Sequence, residues 1–185
     1  MPTTNARAAA ILDSFASAIQ PHSTIIDIGA GKGLLAEAMT RQLNARVTMV
    51  DVAKYNQSNL PLTVCDSRAL AFGENSFDYA VLSFVLHHCP QPEIIVREAL
   101  RVAREVIVIE NDVRGMLRGW LTRAIDSFPA LQYGTPPCYF TKSRDALLTW
   151  FAQFLVEPSV VSEFSLEWGF FRNVTIQLKK QEMNQ

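Results

Sequence analysis

The sequence predicts an α/β fold in which helices cover both faces of a doubly wound, mostly parallel sheet. Two observations support this prediction. Short apolar segments alternate along the chain with segments of helical periodicity, and strands that are apolar on both sides are typical of parallel sheets buried between helices. In addition, a glycine-rich turn directly follows the first apolar segment, as expected where a buried strand passes sharply into a helix.

The first part of the chain contains three predicted strands and two predicted helices. The spacing of the apolar residues predicts, in order, a helix over 4–20 that Pro21 ends, a strand over 24–28, a helix containing Leu35, Met39 and Leu43, and strands over 47–51 and 62–64. A helix or a loop therefore separates each predicted strand from the next, and strands that alternate with helices are typical of a parallel sheet.

The second part continues this order and then changes it. The same patterns predict strands over 79–83 and 106–109 with a helix over 92–103 between them, helices over 117–128 and 142–154, and two last strands over 160–167 and 171–178. Only Trp168 and Gly169 form the turn between the last two strands. Because so short a turn joins only antiparallel strands, we expect the sheet to end in an antiparallel hairpin.

Composition limits the function classes. With 185 residues, 49% of them hydrophobic, the sequence is expected to form one domain over 1–185. The formal net charge of -1 provides no general attraction for nucleic acid. The three cysteines form no CxxC pair, no apolar leader precedes the first helix, and no apolar run is long enough to span a membrane. We therefore expect a cytoplasmic protein without an integral membrane segment.

The glycine turn reads Asp27-Ile28-Gly29-Ala30-Gly31-Lys32-Gly33. Glycines at this point allow a sharp turn and allow a ligand to lie directly against the backbone. A nicotinamide or flavin site favours the spacing GxGxxG, whereas here the third glycine comes one residue early. A plain turn between strand and helix is the alternative explanation.

Two acidic residues favour a binding site over a plain turn. Asp51 ends the second predicted strand, where a carboxylate can accept hydrogen bonds from ribose hydroxyls. Asp66 follows the third predicted strand and can receive an adenine amino group, although a solvated loop residue is the alternative. Since the carboxyl ends of parallel strands meet at one edge of a sheet, both acids are expected to face the same crevice as the glycine turn.

These motifs resemble those of the class I S-adenosylmethionine-dependent methyltransferases. Asp27–Gly33 is similar to the family's first motif, Val50-Asp51 to its second, Cys65-Asp66-Ser67 to its adenine-side motif, and residues 71–88, which end in His87-His88, to its most specific stretch. The resemblance implies a Rossmann-like sheet of order 3-2-1-4-5-7-6 with strand 7 antiparallel, and S-adenosyl-L-methionine as cofactor.

The resemblance also implies roles for individual residues. Gly29 and Gly31 would approach the methionine part of the cofactor, Asp51 the ribose, and Asp66 and Ser67 the adenine. Ser83 and Phe84 would line the pocket near the sulfonium. The complete set of candidate cofactor-binding residues is Asp27, Gly29, Gly31, Gly33, Asp51, Val52, Asp66, Ser67, Ser83 and Phe84.

Methyl transfer needs a base only when the acceptor is a hydroxyl or a carbon acid. His88 is the preferred candidate because the family's motif usually turns its second histidine towards the pocket, and Asp112 is the next candidate. Neighbouring residues of a helix point about 100° apart, so we expect at most one of His87 and His88 to face the pocket. The run His87-His88-Cys89 provides poorly converging ligands and no second cluster completes a tetrahedral site, so no metal is expected.

The segment 113–139 occupies the place of substrate-recognition insertions in this family and is a candidate lid over an apolar or aromatic small-molecule acceptor. An ordinary packed helix and a helix resting on a membrane are the alternatives. Trp120, Trp150 and Trp168 offer enough aromatic surface for a homodimer. Two rival functions stay open: an RNA methyltransferase, disfavoured by the charge, and a catalytically silent protein that binds S-adenosylmethionine.

Overall fold

The computed structural model describes residues 4–113, 139–166 and 171–181. Its central element is a seven-stranded sheet of order β3-β2-β1-β4-β5-β7-β6. The strands are β1 (Thr24–Ile28), β2 (Arg46–Asp51), β3 (Leu62–Val64), β4 (Phe77–Ser83), β5 (Ala103–Asn111), β6 (Val156–Leu166) and β7 (Phe171–Lys180). The sheet order predicted from the sequence is confirmed.

The first five strands are parallel and the last two are not. Parallel pairs join β1 to β2 and β4, β2 to β3, and β4 to β5, whereas β7 runs antiparallel to both β5 and β6. The carboxyl ends of β1 to β5 therefore meet at one edge of the sheet. The antiparallel hairpin expected from the sequence is confirmed, while its turn at Trp168 and Gly169 lies outside the described residues.

Helices cover both faces of the sheet. Four α-helices are described: α1 (Thr4–Asp13), α2 (Leu34–Leu43), α3 (Pro92–Val102) and α4 (Arg144–Phe151). Single turns of 3-10 helix lie at Ala16–Ala18, Leu86–His88 and Ala152–Phe154. The first of these turns and α1 and α2 pack on one face, and α3 and α4 pack on the other.

Alternating residues of the strands divide the apolar core into two clusters. In β1, Ile26 and Ile28 belong to the cluster under α3 and α4, whereas Ile25 belongs to the cluster under α1 and α2. All three side chains are fully buried. Because strand residues alternate between the faces of a sheet, one short apolar strand contributes to both cores and has no solvent-facing side.

The first helix is shorter than the sequence predicts. The prediction of a continuous helix over residues 4–20 is wrong beyond Asp13, where α1 ends. Ser14 explains the break, since its hydroxyl bonds the carbonyl of Ile11 at 2.7 Å and the hydroxyl of Thr175 on β7 at 2.7 Å. A serine that bonds nearby backbone competes with helical hydrogen bonds. The apolar spacing continues because Phe15 and Ile19 are still buried against the sheet.

Two further predicted features fall partly or wholly outside the description. Of the candidate lid at 113–139, only Val113 and Tyr139 are among the described residues. The predicted helix over 117–128 and Trp120 lie outside them. Trp150 is described and packs against Phe140, Phe151 and Phe154, with ring centroids 4.7, 5.0 and 5.1 Å away. The lid, the single domain over 1–185 and the homodimer stay predictions.

Candidate active site

A cavity of about 630 Å³ opens at the carboxyl edge of the parallel strands. The sequence-predicted residues that line it are Gly29, Gly31, Asp51, Val52, Asp66, Ser67, Phe84 and His88. The lining also contains residues that were not among the predicted site residues, namely Tyr55, Cys65, Arg68, Val85, Cys89, Pro90, Gln91 and Ile95. Its volume lies in the range of small-molecule and cofactor sites.

The glycine turn after β1 forms the floor of this cavity. All three glycines have positive φ angles, 76° at Gly29, 54° at Gly31 and 75° at Gly33, which residues with a side chain rarely adopt. A Cβ atom on Gly31 would meet nothing within 4 Å. The turn therefore leaves open space beside Gly31 on a wall of the cavity, where a ligand can lie against the backbone.

Gly29 and Gly33 are required for packing inside the protein. A Cβ atom on Gly29 would lie 2.5 Å from Cγ2 of Val85, in the loop after β4. A Cβ atom on Gly33 would lie 2.5 Å from Oγ of Ser58, in the loop after β2. Gly33 precedes the first residue of α2 and is not among the residues that line the cavity. The structure thus gives Gly33 a place in the turn but does not bring it to the cavity.

Asp51 connects the end of β2 to the glycine turn. Its Oδ2 accepts a hydrogen bond of 2.8 Å from the backbone N–H of Gly31, and its Oδ1 accepts one of 3.0 Å from Ala53. The residue is 6% exposed and lines the cavity. Each carboxylate oxygen has a second lone pair, so Asp51 can hold the turn and still accept hydrogen bonds from a ligand.

Asp27 is a buried carboxyl in β1 that does not line the cavity. The residue is 1% exposed, and its Oδ2 has no hydrogen-bond partner within the described part of the chain. Burial, together with the negative charge of Asp51, raises the pKa of Asp27 to about 7. A bound group that carries a positive charge would therefore stabilise the ionised form of Asp27.

The loop after β3 supplies polar groups to the cavity. Asp66 accepts hydrogen bonds from the side chain and the backbone N–H of Arg68, with distances between 2.6 and 3.0 Å. These bonds hold the pKa of Asp66 below its ordinary value, so the side chain is an ionised acceptor. Ser67 beside it is 6% exposed. The pair provides an acceptor and a hydroxyl at the place that the sequence predicted.

The chain turns sharply at the end of β4. Ser83 is the last residue of the strand and is not among the cavity residues, whereas Phe84 lines the cavity. Phe84 has a φ angle of 57°, and its backbone N–H donates to the carbonyl of Ile109 at 2.9 Å. The guanidinium of Arg7 lies 5.2 Å from the centre of its ring. A bulky residue in this conformation is uncommon, and strained residues of this kind cluster at active sites and ligand clamps.

The two histidines after β4 have different surroundings. His88 lines the cavity, whereas His87 is 5% exposed and does not line it. Nδ1 of His87 lies 2.7 Å from Oε2 of Glu110, near the end of β5. The geometry agrees with the expectation that at most one histidine faces the pocket, and the histidine that faces it is His88. Nothing in the sequence indicated that Glu110 pairs with His87.

Asp112 lies away from the cavity. The residue is 6% exposed, and its Oδ1 accepts a hydrogen bond of 2.8 Å from the backbone N–H of Arg144. Arg144 is the first residue of α4. The carboxylate therefore satisfies a free N–H group at a helix N-terminus, where negative charge is stabilised. The structure does not bring this candidate base to the same place as His88.

The residues that the sequence missed are mostly apolar or sulfur-containing. Burial raises the pKa of Cys89 to about 11 and also raises that of Cys65, so both thiols are neutral and poor nucleophiles at neutral pH. Tyr55 is 37% exposed and lies in the loop after β2. The signal that could have found it is its position four residues after Asp51, in the loop that borders the crevice.

Two features are absent from the described residues. Within residues 4–113, 139–166 and 171–181, no group of three or more potential metal-ligating side chains comes together. No helix in the same part of the chain is long and apolar enough to cross a membrane.

Comparisons with known proteins agree with this site. A family model described as a methyltransferase domain matches residues 26–106, from β1 into β5. A demethylmenaquinone methyltransferase of Renibacterium salmoninarum is 25% identical over 134 residues, which are 64% of this chain and 56% of the relative. The chain thus spans about half the length of the curated relatives that it matches.

Solved structures share the fold. The YcgJ protein of Bacillus subtilis has a TM-score of 0.72 at 13% identity, with 95% of this chain and 99% of that chain covered. The 1,6-didemethyltoxoflavin-N1-methyltransferase of Burkholderia thailandensis, with bound 1,6-didemethyltoxoflavin and S-adenosylhomocysteine, has a TM-score of 0.67 at 16% identity, with 97% and 79% covered. At these identities the likeness concerns the fold.

The chemistry of the cavity fits S-adenosylmethionine, which carries an ammonium group, a ribose diol and an adenine. Asp51 and Asp66 offer carboxylate oxygens of the kind that a diol and an amino group require as acceptors. The open space beside Gly31 suits a cationic group lying against the turn. Asp27, which lies in β1 before the glycines of the turn and whose Oδ2 has no hydrogen-bond partner among the described residues, adds a buried carboxyl that such a charge would stabilise. This fit, the match of residues 26–106 to the methyltransferase family model and the sheet order together support a class I S-adenosylmethionine-dependent methyltransferase.

Proposed function

We propose that this chain transfers the methyl group of S-adenosylmethionine to a small-molecule acceptor. One observation carries the proposal: a single cavity joins the glycine turn and two carboxylates to His88 and a set of apolar side chains. The first group suits the cofactor, and the second group suits an acceptor beside it.

When bound, S-adenosylmethionine supplies an activated methyl group on a sulfonium. The contribution of the protein is then mainly to hold the two reactants close and in line. Asp51 is suited to this because backbone hydrogen bonds on both oxygens fix its carboxylate before any ligand arrives. Asp66 is similarly fixed by Arg68. We infer that these two side chains orient the ribose and the adenine.

His88 is the candidate general base. It lines the cavity, whereas the second candidate, Asp112, is engaged by the N-terminus of α4. An imidazole can take up the proton that a hydroxyl acceptor loses as its oxygen or ring carbon becomes nucleophilic. A step of this kind requires the ring of His88 to lie within hydrogen-bond reach of the acceptor.

The acceptor is proposed to be aromatic and largely apolar. Phe84, Val85 and Ile95 provide apolar surface on the cavity wall. The names of similar proteins agree with such a ring, since one is a demethylmenaquinone methyltransferase and one holds 1,6-didemethyltoxoflavin. The net charge of -1 gives no attraction for an RNA substrate.

The test is methyl transfer from labelled S-adenosylmethionine to a panel of acceptors that includes a demethylated quinol, a catechol and a short RNA. We expect a methylated product from at least one aromatic hydroxyl compound. His88→Gln should lower the rate by roughly 100-fold or more, because general base catalysis contributes about this much. His22→Asn is the matched control, since His22 precedes β1 at the opposite edge of the sheet.

Two results would contradict the proposal. Methylation of the RNA alone would replace the small-molecule acceptor with a nucleic acid. Tight binding of S-adenosylhomocysteine without turnover of any aromatic acceptor would favour a silent cofactor-binding protein.

A further inference from the structure

A buried carboxylate fastens the turn after β4 to the neighbouring strand. Oε1 of Glu110 accepts a hydrogen bond of 2.8 Å from the backbone N–H of Leu86, and Oε2 lies 2.7 Å from Nδ1 of His87. The side chains of Glu110 and His87 are only 5% and 7% exposed. A carboxylate oxygen accepts hydrogen bonds, so this contact orients the ring of His87 with Nδ1 towards Glu110. One side chain of β5 thus holds two successive residues of the turn.

His87 in turn lies directly against His88. The centres of the two imidazole rings are 4.1 Å apart, and the rings are inclined by 48°. The ring of Phe84, which lines the cavity, lies 6.4 Å from His87 in an edge-on arrangement. His87 itself does not line the cavity. It therefore contacts two cavity side chains from behind while Glu110 holds it from the other side.

The backbone of the turn is held as well. The carbonyl of His87 accepts hydrogen bonds from the backbone N–H groups of Tyr139 and Phe140, at 2.7 and 3.3 Å. The N–H of His88 donates to the carbonyl of Val85 at 3.0 Å. Lys142 lines a small cavity together with His87 and Glu110, and it is the one basic side chain besides His87 among the described residues that line this cavity. The turn that carries His88 is thus fixed on several sides.

We propose that Glu110 and His87 are positioning residues for His88. Taking a carboxylate out of water is costly, so its burial beside His87 is weak evidence of a contribution to stability. The two hydrogen bonds of Glu110 nevertheless select one orientation of the His87 ring and one conformation of the turn. The ring of His87 then restricts where the ring of His88 can lie. This proposal rests on the proposed function, in which His88 removes a proton from the acceptor.

Histidine ring signals in NMR spectra give a direct test, because the chain contains only three histidines. The first variant is Glu110→Gln. A glutamine of the same shape has a single acceptor oxygen, so it cannot accept hydrogen bonds from both the N–H of Leu86 and an Nδ1–H of His87. The second variant is His87→Phe, which keeps a buried ring but removes the hydrogen bond to Glu110. His22→Asn is the control, since His22 has a φ angle of 64° and asparagine tolerates that region.

We expect the ring signals of His88 to move in both variants, while those of His22 stay in place. Glu110→Gln should also change the Nδ1 signal of His87. In the His22→Asn control the signals of His87 and His88 should coincide with those of the wild type. If Glu110 had only a structural role, the variants would melt at lower temperature but the folded protein would keep the wild-type ring signals of His88. That result in both variants would overturn the proposal.

Calorimetry with S-adenosylhomocysteine separates this proposal from the proposed function. Neither Glu110 nor His87 lines the cavity, so we expect both variants to bind this ligand within about twofold of the wild-type affinity. A residue that positions a base affects the reaction step and not the binding of the cofactor. A wild-type protein that binds no S-adenosylhomocysteine would contradict the proposed function and leave the ring test unaffected. A loss of binding in both folded variants would assign the pair to cofactor binding and overturn the positioning role.

Discussion

Replacing Asp27 with asparagine should change how the stability of the protein depends on pH. Burial and the charge of Asp51 raise the pKa of Asp27 from 3.8 to about 7 in the folded protein. The unfolded chain has an ordinary carboxyl, so between about pH 4 and pH 7 the folded state binds the proton more tightly. The free energy of unfolding should therefore fall as the pH rises through this window, and the effect should level off above it.

The size of the effect follows from the two pKa values. Each unit of difference in pKa between the folded and unfolded states corresponds to about 1.4 kcal/mol. Ionisation of Asp27 should therefore lower the free energy of unfolding by about 4 kcal/mol at pH 8 relative to pH 4. Asp27→Asn stays neutral at every pH and should lose this slope. At pH 8 the variant should be the more stable protein, and at pH 4 the two should be similar.

Urea unfolding between pH 4 and pH 8, analysed by linear extrapolation, measures this difference. Asp13→Asn is the control, because Asp13 is an exposed carboxylate at the end of α1. The control should keep the slope of the wild type. If the curves of unfolding free energy against pH were parallel for Asp27→Asn and the wild type, Asp27 would not be buried as an isolated carboxyl, and this reasoning would be refuted.

Three further predictions concern the cavity. Gly31→Ala should fold, but its left-handed backbone should lower the free energy of unfolding by about 1–2 kcal/mol, and the variant should no longer bind S-adenosylhomocysteine in calorimetry. Gly73→Ala is the control, because a Cβ atom there meets only Oγ of Ser76 at 3.4 Å, and it should bind this ligand normally. Asp51→Ala should weaken binding by roughly 1.5–3 kcal/mol and also lower the melting temperature, because the backbone bonds to Gly31 and Ala53 are lost; unchanged melting would contradict this. Gly29→Ala should lower the melting temperature more than Gly31→Ala does, because its Cβ atom would lie 2.5 Å from Val85.

The sequence was a good guide to the sheet because its signals are local. The run at Thr24–Ile28 is apolar over its whole length and ends at a glycine, and the strand has the predicted bounds. The same holds for the short strand at Leu62–Val64. The first helix was predicted too long because the bond between Ser14 and Thr175 joins residues far apart in the sequence. Helical spacing cannot reveal such a contact.

The candidate site was predictable where a motif places the backbone. Gly31 and Asp51 meet at the cavity because both lie at the carboxyl ends of neighbouring parallel strands. Side-chain direction was less predictable. Ser83 and Phe84 are adjacent, but the positive φ angle of Phe84 turns only the second into the cavity lining. Asp112 is taken up by a helix that begins 32 residues later in the chain, which no pattern near Asp112 indicates.

The central claim is that the cavity at the strand ends binds S-adenosylmethionine. Titration calorimetry of the wild-type protein with S-adenosylhomocysteine, compared with NAD, tests it most directly. We expect one molecule of S-adenosylhomocysteine to bind per chain, with a matching rise in melting temperature, since a ligand selective for the folded state stabilises it. NAD should produce neither effect, because the glycine turn lacks the GxGxxG spacing. Binding of NAD without binding of S-adenosylhomocysteine would contradict the account.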